Sequence, residues 1–201
     1  HSPEGESELR VMKINSYFPN DVHALCLKYH CKFIQISTDC IFSGSRGEYA
    51  ETDKPYPTDL YGRSKLLGKT DPQNSLVLRT SIIGREIETK RNLLEWFLSQ
   101  KKCFGYDKAY FSGFTTNEFA KVMKNKILPK LHLMGIYHLG ANRISKYDLL
   151  CLIKSKLIVD IQIKRLIELK IDRSLNSKKF QRDFSYTPPT WCDMTNNLSI
   201  L

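Results

Sequence analysis

Val11, Ile14, Phe18, Val22 and Leu25 recur at steps of three and four residues, which lines one face of an α-helix. Pro19 falls inside that run; it has no amide hydrogen and its ring crowds the preceding turn, so the helix is predicted to kink or split there. Lys32-Phe33-Ile34-Gln35-Ile36-Ser37 follows, short, β-rich and spaced like a strand. The segment 43–59 carries Gly44, Gly47, Pro55 and Pro57 and reads as an exposed loop. Residues 60–69 read as a short helix and 75–80 as a second, buried strand. The polar stretch 85–91 precedes a helix beginning at Leu93. Thr116 is placed to cap a helix running through Lys126 and ended by Pro129. Residues 135–140 form a strand bounded by glycines. Ser145 caps a helix over 146–156, with Asp148 three residues on completing a weak capping box. Pro188, Pro189 and Trp191 mark a loop before a short last helix. Helices alternating with strands, without internal repeats, predict an α/β fold with a parallel sheet.

At 201 residues and 23.3 kDa the chain can bury a real core as one ordinary domain, or one with a small second lobe. Hydrophobic content of 41% and charged content of 26% are those of a soluble globular protein. There is no apolar run long enough to span a bilayer and no leader pattern, which excludes a membrane role at this stage. A start at His1 rather than Met reads as a cut from something longer. The six cysteines show neither a CxxC pair nor a zinc spacing, so no metal is expected. They read as reduced core thiols in a cytoplasmic protein. The net charge of +10 lies largely in 121–130 and 164–182, diluted by apolar residues. Without a zinc-finger, RRM or KH pattern it reads as a solvated basic surface and not a nucleic-acid interface. An anionic substrate stays open.

In open α/β sheets, ligands meet the carboxyl ends of the parallel strands. Those ends are Ser37-Thr38-Asp39 and Arg79-Thr80-Ser81. Tyr61 and Lys65, four apart on the predicted helix between them, share one face. A nearby ammonium stabilises a phenolate and lowers the phenol's pKa, so that Tyr61 can exchange a proton with a carbonyl or alcohol oxygen. Alone the spacing is weak, because ten tyrosines and abundant lysines make a chance match ordinary. The order strand-end hydroxyl, loop, then Tyr-x-x-x-Lys is what gives it weight.

That order is the catalytic order of the short-chain dehydrogenases. Several stretches together resemble the dTDP-4-dehydrorhamnose reductase family: Ile36-Ser37-Thr38-Asp39-Cys40-Ile41-Phe42-Ser43-Gly44, Tyr49-x-Glu51-x-Asp53-x-Pro55, Leu60-Tyr61-Gly62-Arg63-Ser64-Lys65 and Leu78-Arg79-Thr80-Ser81. Ile171-Asp172-Arg173-Ser174-Leu175 resembles a bacterial branch of sugar-nucleotide-binding proteins, and the likeness runs from about Val11 to Trp191. The resemblance implies Tyr61 as proton donor to a C4 carbonyl, Thr38 holding that oxygen, and Lys65 lowering the Tyr61 pKa and bonding the nicotinamide ribose. It implies Ser37, Arg79, Thr80 and Ser81 along the cofactor, and Thr38, Asp39, Asn92 and Arg173 toward a nucleotide-linked sugar. Asn15 matches an asparagine placed behind the site. Ile82 replaces the family's aromatic, and Ser112-Gly113-Phe114-Thr115-Thr116 replaces its Gly-x-Pro-Thr loop.

The implied architecture is a Rossmann-like doubly wound sheet over about 8–84 and 112–143, with a small α/β substrate lobe from 85–111 and 144–201. A cofactor-gripping Gly-x-x-Gly-x-x-Gly after a strand does not occur in the sequence. The expectation is therefore one incomplete domain of 201 residues lacking the first mononucleotide-binding half. It would be a fragment, the product of a truncated gene, or a part completed by a complementing N-terminal half; as a partner, a homo-oligomer stays open beside that half. Three functions from different classes follow. One is the catalytic half of an NADP- or NAD-dependent reductase, which alone holds the cofactor poorly. Another is a non-catalytic subunit like the regulatory subunit of methionine adenosyltransferase, which shares the fold, or an inactive fragment. The weakest is an anionic-polymer binder, motivated by the +10 charge.

Overall fold

The computed structural model describes residues 8–86, 92–196 and 198. It opens on α1 (Glu8–Met12), a π turn (Lys13–Tyr17) and α2 (Phe18–Lys28), which follow one another without a break. The π turn answers Pro19, whose missing amide hydrogen cannot bond the carbonyl four residues back. Phe18 instead donates to Lys13, and Asn20 Nδ2 donates to the Ser16 carbonyl at 2.8 Å. The expected interruption is a bulge in one helical rod.

Next come β1 (Ile34–Thr38), a 3-10 turn (Asp39–Ile41), α3 (Leu60–Leu67) and β2 (Leu76–Thr80). β3 (Ile82–Ile83), α4 (Leu93–Leu98), β4 (Lys102–Tyr106), β5 (Ala109–Phe111), β6 (Phe114–Thr115) and α5 (Thr116–Val122) lead to β7 (Gly135–His138). After that come β8 (Ile144–Ser145), α6 (Lys146–Leu157), β9 (Gln162–Leu166), β10 (Ile171–Asp172), α7 (Lys178–Phe184) and α8 (Trp191–Thr195).

The central sheet is parallel, ordered β1-β2-β7, so α3 is the crossover between its first two strands. This is the α/β fold that the alternation predicts, with the Rossmann-like architecture that the resemblance implies. Smaller sheets pair β4 with β9, β3 with β6, and β10-β5-β8. All five residues of β2 are buried, as suits a strand covered on both faces. Its Leu76 and Leu78 join Phe97, Phe114, Tyr137, Leu149, Phe180 and Phe184 in the main core. Phe180 stacks on Phe184 with ring centroids 4.3 Å apart, and Tyr137 meets both edge-on.

Three expectations are corrected. The helix before β7 is capped by Thr115, which accepts from the Glu118 amide at 3.3 Å, and not by its neighbour Thr116. The 43–59 segment is irregular but not simply exposed. Tyr49 is buried, stacks on Phe42 at 4.3 Å, and is strapped by backbone bonds to Ser174 and Asn176. One aromatic ring brings enough apolar area to draw a polar loop inward. The cysteines are all free, but only Cys103 is buried, while Cys31 and Cys192 are exposed, so they are not uniformly core thiols.

Candidate active site

β1 ends at Thr38, where the chain turns into the 3-10 segment. The Thr38 hydroxyl accepts from the Cys40 amide at 3.1 Å and donates to Asp39 Oδ1 at 3.2 Å. α3 lies across this end because two glycines let it. A Cβ on Gly62 would stand 2.2 Å from the Cys40 carbonyl oxygen, and one on Gly68 would stand 1.9 Å from that of Asn15. Asp59 caps the helix, accepting from the Gly62 amide at 2.6 Å. From behind, Ser16 Oγ donates to the Ser64 carbonyl at 2.7 Å and Asn15 Nδ2 to Ser64 Oγ at 3.1 Å. Asn15 thus sits behind the helix that carries Tyr61, as the resemblance implies, and Ser64 is its unforeseen partner.

With α3 fixed, the Tyr61 phenol lies beside the Thr38 hydroxyl. Burial pushes the phenol up to about 12, helped by the Cys40 sulfur and by Asp39 and Asp59, with the Thr38 hydroxyl acting the other way. The expected lowering by Lys65 is absent: desolvation dominates, and the groups beside the phenol favour its neutral form. Burial also lowers the Lys65 ammonium. Among the described residues no hydrogen bond or ion pair engages that ammonium, which leaves its donors for a ligand.

Asp39 is buried, and its carboxyl is raised mainly by burial, against hydrogen bonds from Ser81, Thr38 and Cys40 and the charge of Arg173. The structure thus joins Asp39 and Ser81 across the ends of β1 and β2. Ser37 and Thr80 are buried beside them, at 8% and 3% exposure. Arg79 points elsewhere. Its guanidinium bonds His138 Nε2 at 3.1 Å and lies over the Phe42 ring, and burial lowers it to about 10. Asn92 caps α4, accepting from the Glu95 amide at 2.8 Å and donating to the Gly84 carbonyl at 2.6 Å, so both ends of its side-chain amide are engaged. Arg173 comes from β10's far end to this site. It donates to Thr58 Oγ1 at 3.0 Å, approaches Asp59 at 3.5 Å and Cys40 Sγ at 3.4 Å, and has a buried Nε without a partner among the described residues.

Cys40 and His138 are residues the sequence reading passed over. Cys40 is a protonated thiol beside Tyr61, pushed up to about 11 by burial and by Asp39. Its signal was its place directly after Ser-Thr-Asp. His138 ends β7, the third parallel strand, where the carboxyl-end rule points.

A family model for the RmlD substrate binding domain matches residues 3–196. The methionine adenosyltransferase 2 subunit beta of Danio rerio is 31% identical over 134 residues, which is 60% of this chain and 42% of that protein. A probable low-salt glycan biosynthesis reductase of Haloferax volcanii is 39% identical over 75 residues, 35% of this chain and 25% of that one. The chain therefore spans less than half the length of these curated relatives. Among solved structures, a hypothetical dTDP-4-dehydrorhamnose reductase from Sulfolobus tokodaii superposes with a TM-score of 0.73 at 27% identity, covering 90% of this chain and 69% of that one. The Bacillus anthracis dTDP-4-dehydrorhamnose reductase, solved in complex with NADP, gives 0.78 at 18% identity, over 92% and 70%, which shows the fold. With a match across nearly its whole length, the chain belongs to the RmlD substrate binding domain family.

Proposed function

We propose that this chain is the catalytic and substrate-binding portion of an NAD(P)H-dependent reductase acting on the C4 carbonyl of a nucleotide-linked deoxysugar. The observation that carries this reading is the placement of the buried Tyr61 phenol beside the Thr38 hydroxyl at the carboxyl end of β1, with the Lys65 ammonium, unengaged among the described residues, one helical turn away.

The half-buried Lys65 ammonium suits a ribose hydroxyl, so the residues present fit the nicotinamide end of the cofactor. When bound, that cofactor supplies a hydride. Thr38 would hold the substrate oxygen. Tyr61, neutral at physiological pH because of its burial, would donate its proton to that oxygen as negative charge develops there. Lys65 and the Thr38 hydroxyl would then stabilise the phenolate. Arg173, with one buried Nε unspent, would meet the anionic end of the substrate. Ser37, Asp39, Thr80 and Ser81 would shape the wall of the site, and Arg79 would brace it from inside through His138 and Phe42.

The isolated chain should bind a nucleotide-linked sugar while showing no micromolar NADPH binding by fluorescence. In a form that turns over NADPH, Tyr61→Phe should reduce the rate by about a hundredfold or more, the usual contribution of a positioned general acid. An unchanged rate would sink the reading. A second reading rests on the Danio rerio match: a non-catalytic binding or regulatory subunit of the same fold. In that case Tyr61→Phe would leave function intact.

A further inference from the structure

The catalytic arrangement leaves the chain's basic excess unused, and part of that excess converges elsewhere. A cleft of about 340 Å³ opens between the loop at Gly44–Arg46 and strands β5 and β10. Arg46, Lys108, Arg143 and Lys170 line it, together with Tyr110 and Asp172, and none belongs to the Thr38–Tyr61–Lys65 group.

The charges there do not balance. Among the described residues Asp172 is the cleft's one carboxylate, and it is already taken by Arg143 at 2.6 Å and by the Ser174 amide at 3.0 Å. Arg46 pairs with Asp53, outside the lining. Lys108 and Lys170 have no acidic or hydrogen-bonding side-chain partner among the described residues. They precede the paired positions Ala109 and Ile171 on adjacent parallel strands, so two like charges are held side by side. Like charges facing each other across strands destabilise a sheet, and a bound anion would remove that cost. The loop above them is pinned, since the Asp172 amide donates to the Gly44 carbonyl at 2.7 Å. Arg143 lies over the Tyr110 ring at 4.7 Å, which orients its fork of donors. The cleft is too large for one small ion and has room for linked phosphates.

We propose that this cleft binds a diphosphate-class anion at a site separate from the Thr38–Tyr61–Lys65 group. The inference does not depend on the reductase reading. Its ligand could be the diphosphate of a nucleotide-linked sugar or a free polyphosphate.

The test is calorimetric titration of the 201-residue chain with pyrophosphate. Saturable one-site binding is expected. Lys108→Gln/Lys170→Gln should weaken it at least tenfold, while Lys101→Gln/Lys124→Gln, which removes the same charge elsewhere, and Tyr61→Phe should leave it unchanged. Equal weakening by both double variants, or no saturable binding, would overturn the proposal. Without ligand the Lys108→Gln/Lys170→Gln chain should melt no lower than the wild type. A lower melting temperature would refute the repulsion on which the argument stands. Thymidine diphosphate separates the two sources: competition with pyrophosphate points to the nucleotide's own diphosphate, and simultaneous binding points to a free polyphosphate.

Discussion

The side of the molecule built on β7, α6 and α7 and the side built on α1, α2 and β1 treat apolar residues in opposite ways. On the first, Leu94, Phe97, Phe114, Leu139, Leu149 and Phe180 are 0% exposed. On the second, Leu9, Ile14, Tyr17, Phe18, Leu25 and Leu27 are between 48% and 62% exposed, and Ile36 of β1 is 36% exposed. Among the described residues β1 also has a strand neighbour on one side only. The helical rod is nonetheless firmly held where Asn15 and Ser16 bond Ser64 beneath the Tyr61 helix. Periodicity therefore reports which residues require cover, but not whether this length of chain supplies it. A patch of that kind marks a surface made for contact, and an open strand edge adds to it.

The sharpest way to break this contrast is to truncate one phenylalanine on each side. Phe180→Ala should cost about 3–5 kcal/mol, because it empties a stacked aromatic site in the core. Phe18→Ala should change stability by no more than about 0.5 kcal/mol, as surface substitutions do. Urea unfolding of the two variants measures both. Comparable losses would mean that the N-terminal face is covered in solution, by self-association or by a partner, and sedimentation of the wild type would then show which.

A smaller effect tests how dry the sheet interior is at His138. Arg79 can only donate, so His138 Nε2 accepts, and its Nδ1–H donates to the Tyr49 carbonyl at 2.7 Å. The ring is therefore neutral, and burial together with Arg79 lowers it to about 3. In the unfolded chain it takes up its proton near the ordinary value of 6.5. Between these values the unfolded state binds more protons, so stability rises with pH. It is complete above about pH 6.5 and is lost as the pH falls toward 3, with a slope of up to about 1.4 kcal/mol per pH unit. Unfolding measured from pH 4 to 8 should show that slope, and His138→Gln should flatten it. A slope that survives the substitution belongs to other groups.

How far the sequence could be read depended on whether an element's signal was local. β2 announces itself through the apolar run Leu76-Val77-Leu78, as suits a strand whose faces are both covered, and α3 is bracketed by the Asp59 cap and Gly68. The order Thr38, Tyr61, Lys65 was legible because the spacing along the chain survives folding. β4 and β9 were not. Gln162-Ile163-Lys164-Arg165-Leu166 is largely exposed and charged, and it gains strand form only by pairing with Lys102–Tyr106, about sixty residues earlier. Arg173 could be suspected but not placed, because its neighbours Cys40, Thr58 and Asp59 lie more than a hundred residues away. The raised Tyr61 phenol was missed for the same reason. Helical spacing brings Lys65 near, but it says nothing of the burial and the acidic neighbours that outweigh it.

Arg173 also supplies the smallest and most local test, because it reaches from the end of β10 to Asp59 at the N-cap of α3. Asp59 is an N-cap, and replacing such a residue with Ala costs about 1 kcal/mol. Thr115 caps α5 on the well-packed side and should cost about the same when replaced. If capping were all that Asp59 did, the two substitutions would be equivalent. Asp59 also stands 3.5 Å from Arg173, whose side chain is 17% exposed against 46% for Asp59. A half-exposed pair of that kind contributes about 0.2–1 kcal/mol. The double-mutant cycle of Asp59→Ala with Arg173→Ala should therefore show a coupling within that range, and the cycle of Thr115→Ala with Arg173→Ala should show none. Coupling in both cycles would mean that Arg173 acts on the fold at large, and its place beside Thr58 and Cys40 would then say little about the site.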